Sequence, residues 1–300
     1  AKMTTVRTLI SVVAIRSWPL YQMDVKNAFL NGTLTEEVYM RPPPGLHHSS
    51  GLVCRLRRAL YGLKQSPRAW YDRFQTTITE LGFHPSASDS ALFLRHTSAG
   101  FVALLLYVDD MIITGSDSSA ISEVKQHLFR TFDMKDLGPL RYFLGIELAS
   151  SPKGYFLSQA KYANEGIHRA RLTDTKLSDT PIELYVKLNT TDRVPLDDPT
   201  LYRELVGCLV YLTVTRPDLA YSVHVISQFV SVPRSTHWAA LLRIHRYLRS
   251  TIFQGMLNSS TSSLDLVAYA DADWSGDVND RKSTFWILYF LAISWFLGKT

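Results

Sequence analysis

Apolar residues run almost unbroken from Phe101 to Thr114, interrupted only by the adjacent acids Asp109 and Asp110, with Gly100 and Gly115 at the ends. Each half has the length of a buried strand, and Asp tolerates the positive φ of a two-residue turn. The pattern therefore predicts a β-hairpin with Asp109 and Asp110 at its tip. Leu20–Val25 reads as another short strand, carrying Asp24 near its end. Upstream, Val6, Leu9, Ile10, Val13 and Ala14 recur at helical spacing and predict an opening helix that stops before Trp18-Pro19.

Further on, Val38–Met40 reads as an edge strand, and Pro42 to Gly45 as a loop because proline lacks the amide donor and fixes φ. His47 and His48 in that loop have no companion ligand and read as solvated. Behind the hairpin, Ile121, Val124, Leu128, Phe129 and Phe132 predict one apolar face of a helix starting near Ser118. Tyr142 to Leu148 and Tyr155 to Ser158 read as two strands. A polar, proline-marked stretch from Thr173 to Pro199 reads as a connector. Helices are expected over Tyr202 to Val214, Leu219 to Val230 and Ser235 to Leu248. On the last, Trp238, Leu241, Leu242 and Leu248 face inward, Arg243, Arg246 and Arg249 face outward, and His237 and His245 lie at the surface or toward a partner.

Composition narrows the class. With 300 residues, 46% of them hydrophobic, the chain can bury a substantial core and form two domains or slightly more. A net charge of +5 and a pI near 9.1 suit a polyanionic partner. Cys54 and Cys208 lack metal-ligand spacing, which favours a reducing intracellular compartment over a disulfide scaffold. The opening residues have no signal-peptide layout, and the longest apolar run, Phe285 to Leu297, is shorter than a spanning helix requires. The chain reads as a fragment of a longer protein with no membrane partner.

The acids carry the candidate chemistry. Adjacent carboxylates repel unless a cation sits between them, and hard divalent ions take oxygen ligands. Taken alone, Asp109-Asp110 is better read as a solvated turn, but Asp24 supplies a third ligand from a separate strand. Two-metal phosphoryl transfer needs this donor chemistry, with ions about 3.5–4 Å apart. From Arg55 to Arg73, the cations Arg55, Arg57, Arg58, Lys64, Arg68 and Arg73 face the single acid Asp72, with Tyr61, Trp70 and Tyr71 interleaved. Such a mixture can follow a phosphate backbone while its rings stack on bases; a solvated helix with aromatic core residues has the same composition. No Gly-rich phosphate cradle occurs.

Several stretches together resemble the polymerase of copia-type retrotransposons, a reverse transcriptase family. They are Gln22 to Gly32, Ala59 to Tyr71, Tyr107-Val108-Asp109-Asp110, Met134 to Gly138, Tyr142 to Glu147 and Thr215 to Tyr221. The resemblance implies an α+β fold: a right-hand polymerase palm of antiparallel sheet backed by helices, with partial fingers, a mostly helical thumb or connection module, and a truncated ribonuclease H-like start. The expected domains are 1–172, 173–262 and 263–300.

It also implies an RNA-directed DNA polymerase in which Asp24, Asp109 and Asp110 hold two Mg²⁺ ions, Mn²⁺ being an alternative. Phe29 and Lys64 would contact the nucleotide. Gly62, Gln65, Ser66, Pro67, Arg68, Tyr107, Phe143, Leu144 and Gly145 would contact template or primer. The implied partners are an RNA template, a DNA primer or RNA–DNA hybrid, deoxynucleoside triphosphates and the remainder of a Pol polyprotein, in a cytoplasmic particle. Leu264 to Trp274 resembles the first strand of ribonuclease H, with Asp271, and less strongly Asp273, as its acids. The family's continuation after Ser283-Thr284 is replaced by Phe285-Trp286-Ile287-Leu288. From another class, a nucleic-acid-binding relic without turnover fits the same residues.

Overall fold

The computed structural model describes residues 1–300 except 50, 173, 185, 187, 273–284, 292–294 and 297–300, together with the side chains of 271, 285–291, 295 and 296. The fold mixes helices with antiparallel sheets and divides into two compact units. One holds Ala1–Leu9 and Trp18–Leu140; the other holds Ile10–Ser17 and Arg141–Thr300. The opening helix α1 (Met3–Arg16) contributes residues to both.

The first unit contains the strands β1 (Leu20–Val25), β2 (Thr33–Met40), β3 (Cys54–Arg58), β4 (His84–Pro85), β5 (Leu92–Thr97), β6 (Gly100–Tyr107), β7 (Asp110–Gly115) and β8 (Met134–Pro139). Its helices are α2 (Ser66–Thr79) and α3 (Ser118–Thr131). Six strands form one sheet in the order β4-β5-β6-β7-β1-β8, and β2 pairs with β3 separately. Met23, Val25, Leu104, Leu106, Met111 and Ile113 alternate onto one buried face, where Trp70, Phe74 and Ile78 of α2 and Ile121, Val124 and Leu128 of α3 cover them. Fully burying each such side chain contributes roughly 1.5–3 kcal/mol.

Two expectations for this unit need correction. Phe129 does not join the apolar face of α3: it is 42% exposed, while Phe132, just past the helix end, turns inward. The helix ends at Thr131 and the extended backbone of Phe132 redirects that ring. The hairpin tip is also displaced by one residue. Tyr107 pairs with Asp110, so the two turn residues are Val108 and Asp109, and Asp110 starts β7. The strand β8, which pairs with β1, was legible only as a motif.

The second unit contains β9 (Tyr142–Phe143), β10 (Ile146–Ser151), β11 (Gly154–Ser158), β12 (Met256–Ser259), β13 (Leu266–Ala272), β14 (Phe285–Leu291) and β15 (Trp295–Phe296). Its further helices are α4 (Ala160–Arg169), α5 (Thr200–Leu212), α6 (Ala220–Ser227) and α7 (Ser235–Ser250). One sheet runs β15-β12-β11-β10-β9, and β13 pairs with β14. The expected strand from Tyr142 to Leu148 is broken in two. Phe143 pairs with Ile146, and Leu144 (φ 50°) and Gly145 (φ 75°) make a tight turn with both residues left-handed.

Helices α4 to α7 share a core built from Ile167, Tyr202, Leu205, Leu209, Val223, Ile226, Leu241, Ile244 and Leu248. On α7 the buried period is 237, 241, 244, 245 and 248, so His237 and His245 lie inside, contrary to expectation. His237 makes a ring nitrogen contact with the Asn189 carbonyl at 3.1 Å, receives the Arg234 amide at 3.0 Å and stacks on Phe229. Burial pushes the pKa of both histidines down, which keeps them neutral.

The arginines of α7 do not simply face outward either. Arg243 pairs with Glu183, Arg246 pairs with Asp174, and Arg249 donates to the Asp174 and Leu172 carbonyls.

Candidate polymerase site

Asp24 and Asp110 are register partners across β1 and β7. Residues directly opposite on antiparallel strands share a face, so both carboxylates lie on the same side of the sheet. Gln22, two residues before Asp24, shares that face and donates to Asp110 Oδ1 at 3.0 Å. Asp109 occupies the turn, and its carbonyl accepts the Val25 amide at 2.9 Å, which extends the β1 ladder into the turn. The preceding Val108 has φ 56°, a left-handed conformation unfavourable for a β-branched residue. Its carbonyl accepts the Trp70 indole N–H at 2.6 Å.

The electrostatics show a concentration of uncompensated negative charge. Among the described residues no lysine or arginine forms an ion pair with Asp24, Asp109 or Asp110. The Asp110 carboxyl is held above the usual aspartate range, first by burial and then by the charges of Asp109 and Asp24, against the opposing Gln22 hydrogen bond. Burial, with the charges of Asp109 and Asp24 added, also pushes the Tyr61 phenol up. Tyr61 thus senses the same acids.

Three hard oxygen donors with mutual repulsion fit a divalent cation. Among the described residues, however, no three acidic, histidine or cysteine side chains form a ready-made metal cage. The backbone brings the acids together while the Gln22 amide takes one Asp110 oxygen.

The other predicted residues separate by exposure. Phe29 lies on a short 3₁₀ turn (Ala28–Asn31), is 8% exposed and packs in a tilted contact with Tyr61, whose ring centroid lies 4.4 Å away and which is itself exposed. Lys64, Pro67 and Arg68 are exposed, as is Gly62, whose φ of 94° suits glycine. Ser66 is buried, and its hydroxyl donates to the Leu60 carbonyl at 2.6 Å. Gln65 is half-buried and Tyr107 is exposed on the acid face. Phe143 is buried, and Leu144 and Gly145 form the β9–β10 turn, where the Tyr211 hydroxyl donates to the Leu144 carbonyl. Asp271 lies on β13, with its side chain outside the described residues, and Asp273 is wholly outside them.

Sequence reasoning gave Gln22 no role of its own and took Tyr61 and Trp70 only as rings interleaved among the cations, for base stacking or for the core. The alternation that puts Gln22 beside Asp24 was available in the sequence, whereas the reach of Trp70 to Val108 was not.

Of the cations from Arg55 to Arg73, Arg57, Lys64 and Arg73 are exposed and have no ion pair among the described residues. Arg55 pairs with Glu37, Arg58 donates to the Leu30 carbonyl, and Arg68 lies 3.9 Å from Asp72 in an exposed contact. Exposed cations without an acidic partner can attract a polyanion.

A model of the family described as reverse transcriptase (RNA-dependent DNA polymerase) matches residues 1–184. The chain belongs to the reverse transcriptase family. It is 43% identical over 299 residues to the retrovirus-related Pol polyprotein from transposon RE2 of Arabidopsis thaliana, covering 98% of this chain and 20% of that protein. With the Pol polyprotein from transposon TNT 1-94 of Nicotiana tabacum it shares 38% identity over 309 residues, covering 98% of this chain and 23% of that protein. A putative transposon Ty5-1 protein of Saccharomyces cerevisiae is 34% identical over 262 residues, covering 86% of this chain and 85% of that one. The reverse transcriptase chain thus spans about a fifth of the plant Pol polyproteins it matches. No described helix is long and apolar enough to cross a membrane.

Proposed function

We propose that the chain is the RNA-directed DNA polymerase segment of a copia-type Pol polyprotein, extending a DNA primer on an RNA template. One observation carries this reading: Asp24 and Asp110 are register partners beside the Asp109 turn, with no cationic side chain among the described residues in an ion pair with any of the three. In this reading the six-stranded sheet with α2 and α3 is the palm, β2 and β3 belong to partial fingers, and the helical module over 173–262 is thumb or connection. Residues 263–300 begin a ribonuclease H-like domain.

Asp24, Asp109 and Asp110 would hold two Mg²⁺ ions, or Mn²⁺. When bound, these supply the positive charge that favours the ionised primer 3′ hydroxyl and neutralises the leaving pyrophosphate. Gln22 orients the Asp110 carboxylate. Lys64, Arg57 and Arg73 offer charge to phosphates. Phe29, in contact with Tyr61, limits the space for a 2′ hydroxyl, so that deoxynucleotides are preferred. A cytoplasmic particle follows from the same family reading.

The test is dTTP incorporation by the purified chain on oligo(dT) annealed to poly(rA), with Mg²⁺ or Mn²⁺. Incorporation that Asp109→Asn abolishes, with primer–template binding preserved, is the expected result. Binding without incorporation would mark a relic, and incorporation that survives Asp109→Asn would refute the site.

A further inference from the structure

The Val108 peptide is the strained point of the acidic turn. A β-branched residue at φ 56° persists only where its surroundings hold it. Two hydrogen bonds do so: the Val25 amide to the Asp109 carbonyl at 2.9 Å, and the Trp70 indole N–H to the Val108 carbonyl at 2.6 Å. The first belongs to the sheet. The second comes from a different element, α2.

Trp70 is placed rigidly enough to act as a fixed donor. It is 1% exposed, with its ring 5.2 Å from Phe132 in an edge contact and 5.5 Å from Phe74. The start of α2 is pinned by the Ser66 hydroxyl on the Leu60 carbonyl at 2.6 Å. Gly32 packs so closely on this helix that a Cβ there would meet the backbone of Ala69 and Trp70 at 2.8 Å. A continuous set of contacts therefore runs from Gly32 through α2 to the peptide that precedes Asp109.

We propose that Trp70 is a positioning residue for the polymerase site: its indole N–H holds the Val108 peptide in the left-handed conformation that sets the directions of Asp109 and Asp110. This rests on the polymerase reading of those acids. A purely packing role would need the ring alone. The N–H is what the proposal requires.

Replacing Trp70 with β-(3-benzothienyl)alanine keeps the bicyclic ring and removes the N–H, and Trp70→Phe serves as a second variant. In the metal-free full chain, amide exchange at Val25 should become about fivefold faster in the sulfur isostere, the size expected for losing one hydrogen bond. Exchange within α2 and α3 should stay unchanged. Mn²⁺ binding followed by electron paramagnetic resonance should weaken in step, and in primer extension kcat should fall more than KM changes.

Unchanged Val25 exchange in the isostere would overturn the proposal, as would faster exchange spread through α2 and α3, which would make Trp70 a core residue only. Failure of the polymerase reading looks different. In that case Asp109→Asn leaves Mn²⁺ binding of the otherwise native chain unaltered, while the exchange measurement still decides whether Trp70 holds the turn.

Discussion

Asp24, Asp109 and Asp110 in the first unit and Arg203, Arg216, Arg234, Arg243, Arg246 and Arg249 in the second are clusters of one sign, yet the fold treats them in opposite ways. All six arginines are engaged: Arg216 with Asp218 and Thr251, Arg243 with Glu183, Arg246 with Asp174, and the other three with main-chain carbonyls. The three acids have no cationic partner among the described residues, and one of them sits beside a strained peptide. Unneutralised charge on a rigid sheet is costly and has no structural return, which supports the proposed reading of these acids as a site. Paired charge on helices that share a core marks architecture. From Leu219 to Leu264 the chain has no acid, and the arginines of that stretch, Arg234, Arg243, Arg246 and Arg249, already serve the fold. In the proposed reading, the open cations of the first unit, Arg57, Lys64 and Arg73, are the surface offered to a phosphate backbone.

The comparison breaks most readily at Arg216. Its side chain is 2% exposed and donates to both oxygens of Asp218 as well as to Thr251. Arg216→Ala should cost about 3–5 kcal/mol in chemical denaturation, since it leaves Asp218 without its cationic partner, with only the Tyr247 hydroxyl still donating to it. A cost below about 1 kcal/mol would show that this charge is not architectural.

Next in size is the response of nucleic-acid binding to salt. Lys64→Ala and Arg73→Ala should each flatten the slope of log affinity for primer–template against log salt by about one. Arg243→Ala should leave that slope unaltered while lowering stability modestly. A slope that responds to Arg243 instead would return the helical module to the binding surface.

The two regions should also titrate in opposite directions. Asp110 is raised above the ordinary 3.8, so the native state holds its proton more tightly than the unfolded chain. Its contribution to stability is therefore lost as pH rises from 3.8 through the raised value, and Asp110→Asn should raise the melting temperature at neutral pH. Asp174 is lowered, chiefly by its hydrogen bond with Arg246. Its contribution is present above 3.8 and fades as pH falls through the depressed value. Melting curves of Asp110→Asn and Asp174→Asn across this range should diverge with opposite slopes; parallel curves would erase the distinction.

The smallest effect is expected at the turn itself. Val108→Gly removes the penalty for a left-handed β-branched residue and should raise stability by about 1 kcal/mol in denaturation. Unaltered or reduced stability would show that the conformation is not strained.

Much of this was legible along the chain. The apolar runs on either side of Asp109-Asp110 and the strand carrying Asp24 are local alternation patterns, and period two alone is enough to put Met23 and Val25 on one face and Asp24 on the other. The α7 pattern likewise fixed a helix from Ser235 onward. What alternation does not contain is which strand lies beside which. The pairing of Asp24 with Asp110, far apart in the sequence, is a decision of the sheet order. The same holds for the break at Leu144-Gly145, where an apolar run reads as one strand until its ends pair with each other.

Polar residues inside the molecule were the least legible. His237 and His245 read as surface or partner-facing and Ser66 as a template or primer contact, yet all three, like Arg216, are buried. Their partners are carbonyls and side chains brought in from elsewhere in the chain or from the local turn. Trp70 is the sharpest case. Its ring read equally as a base-stacking or a core residue in the sequence, and the use of its one N–H on Val108, 38 residues away, exists only once α2 packs on the sheet. Sequence determines what a side chain can offer; only packing determines who stands close enough to accept it.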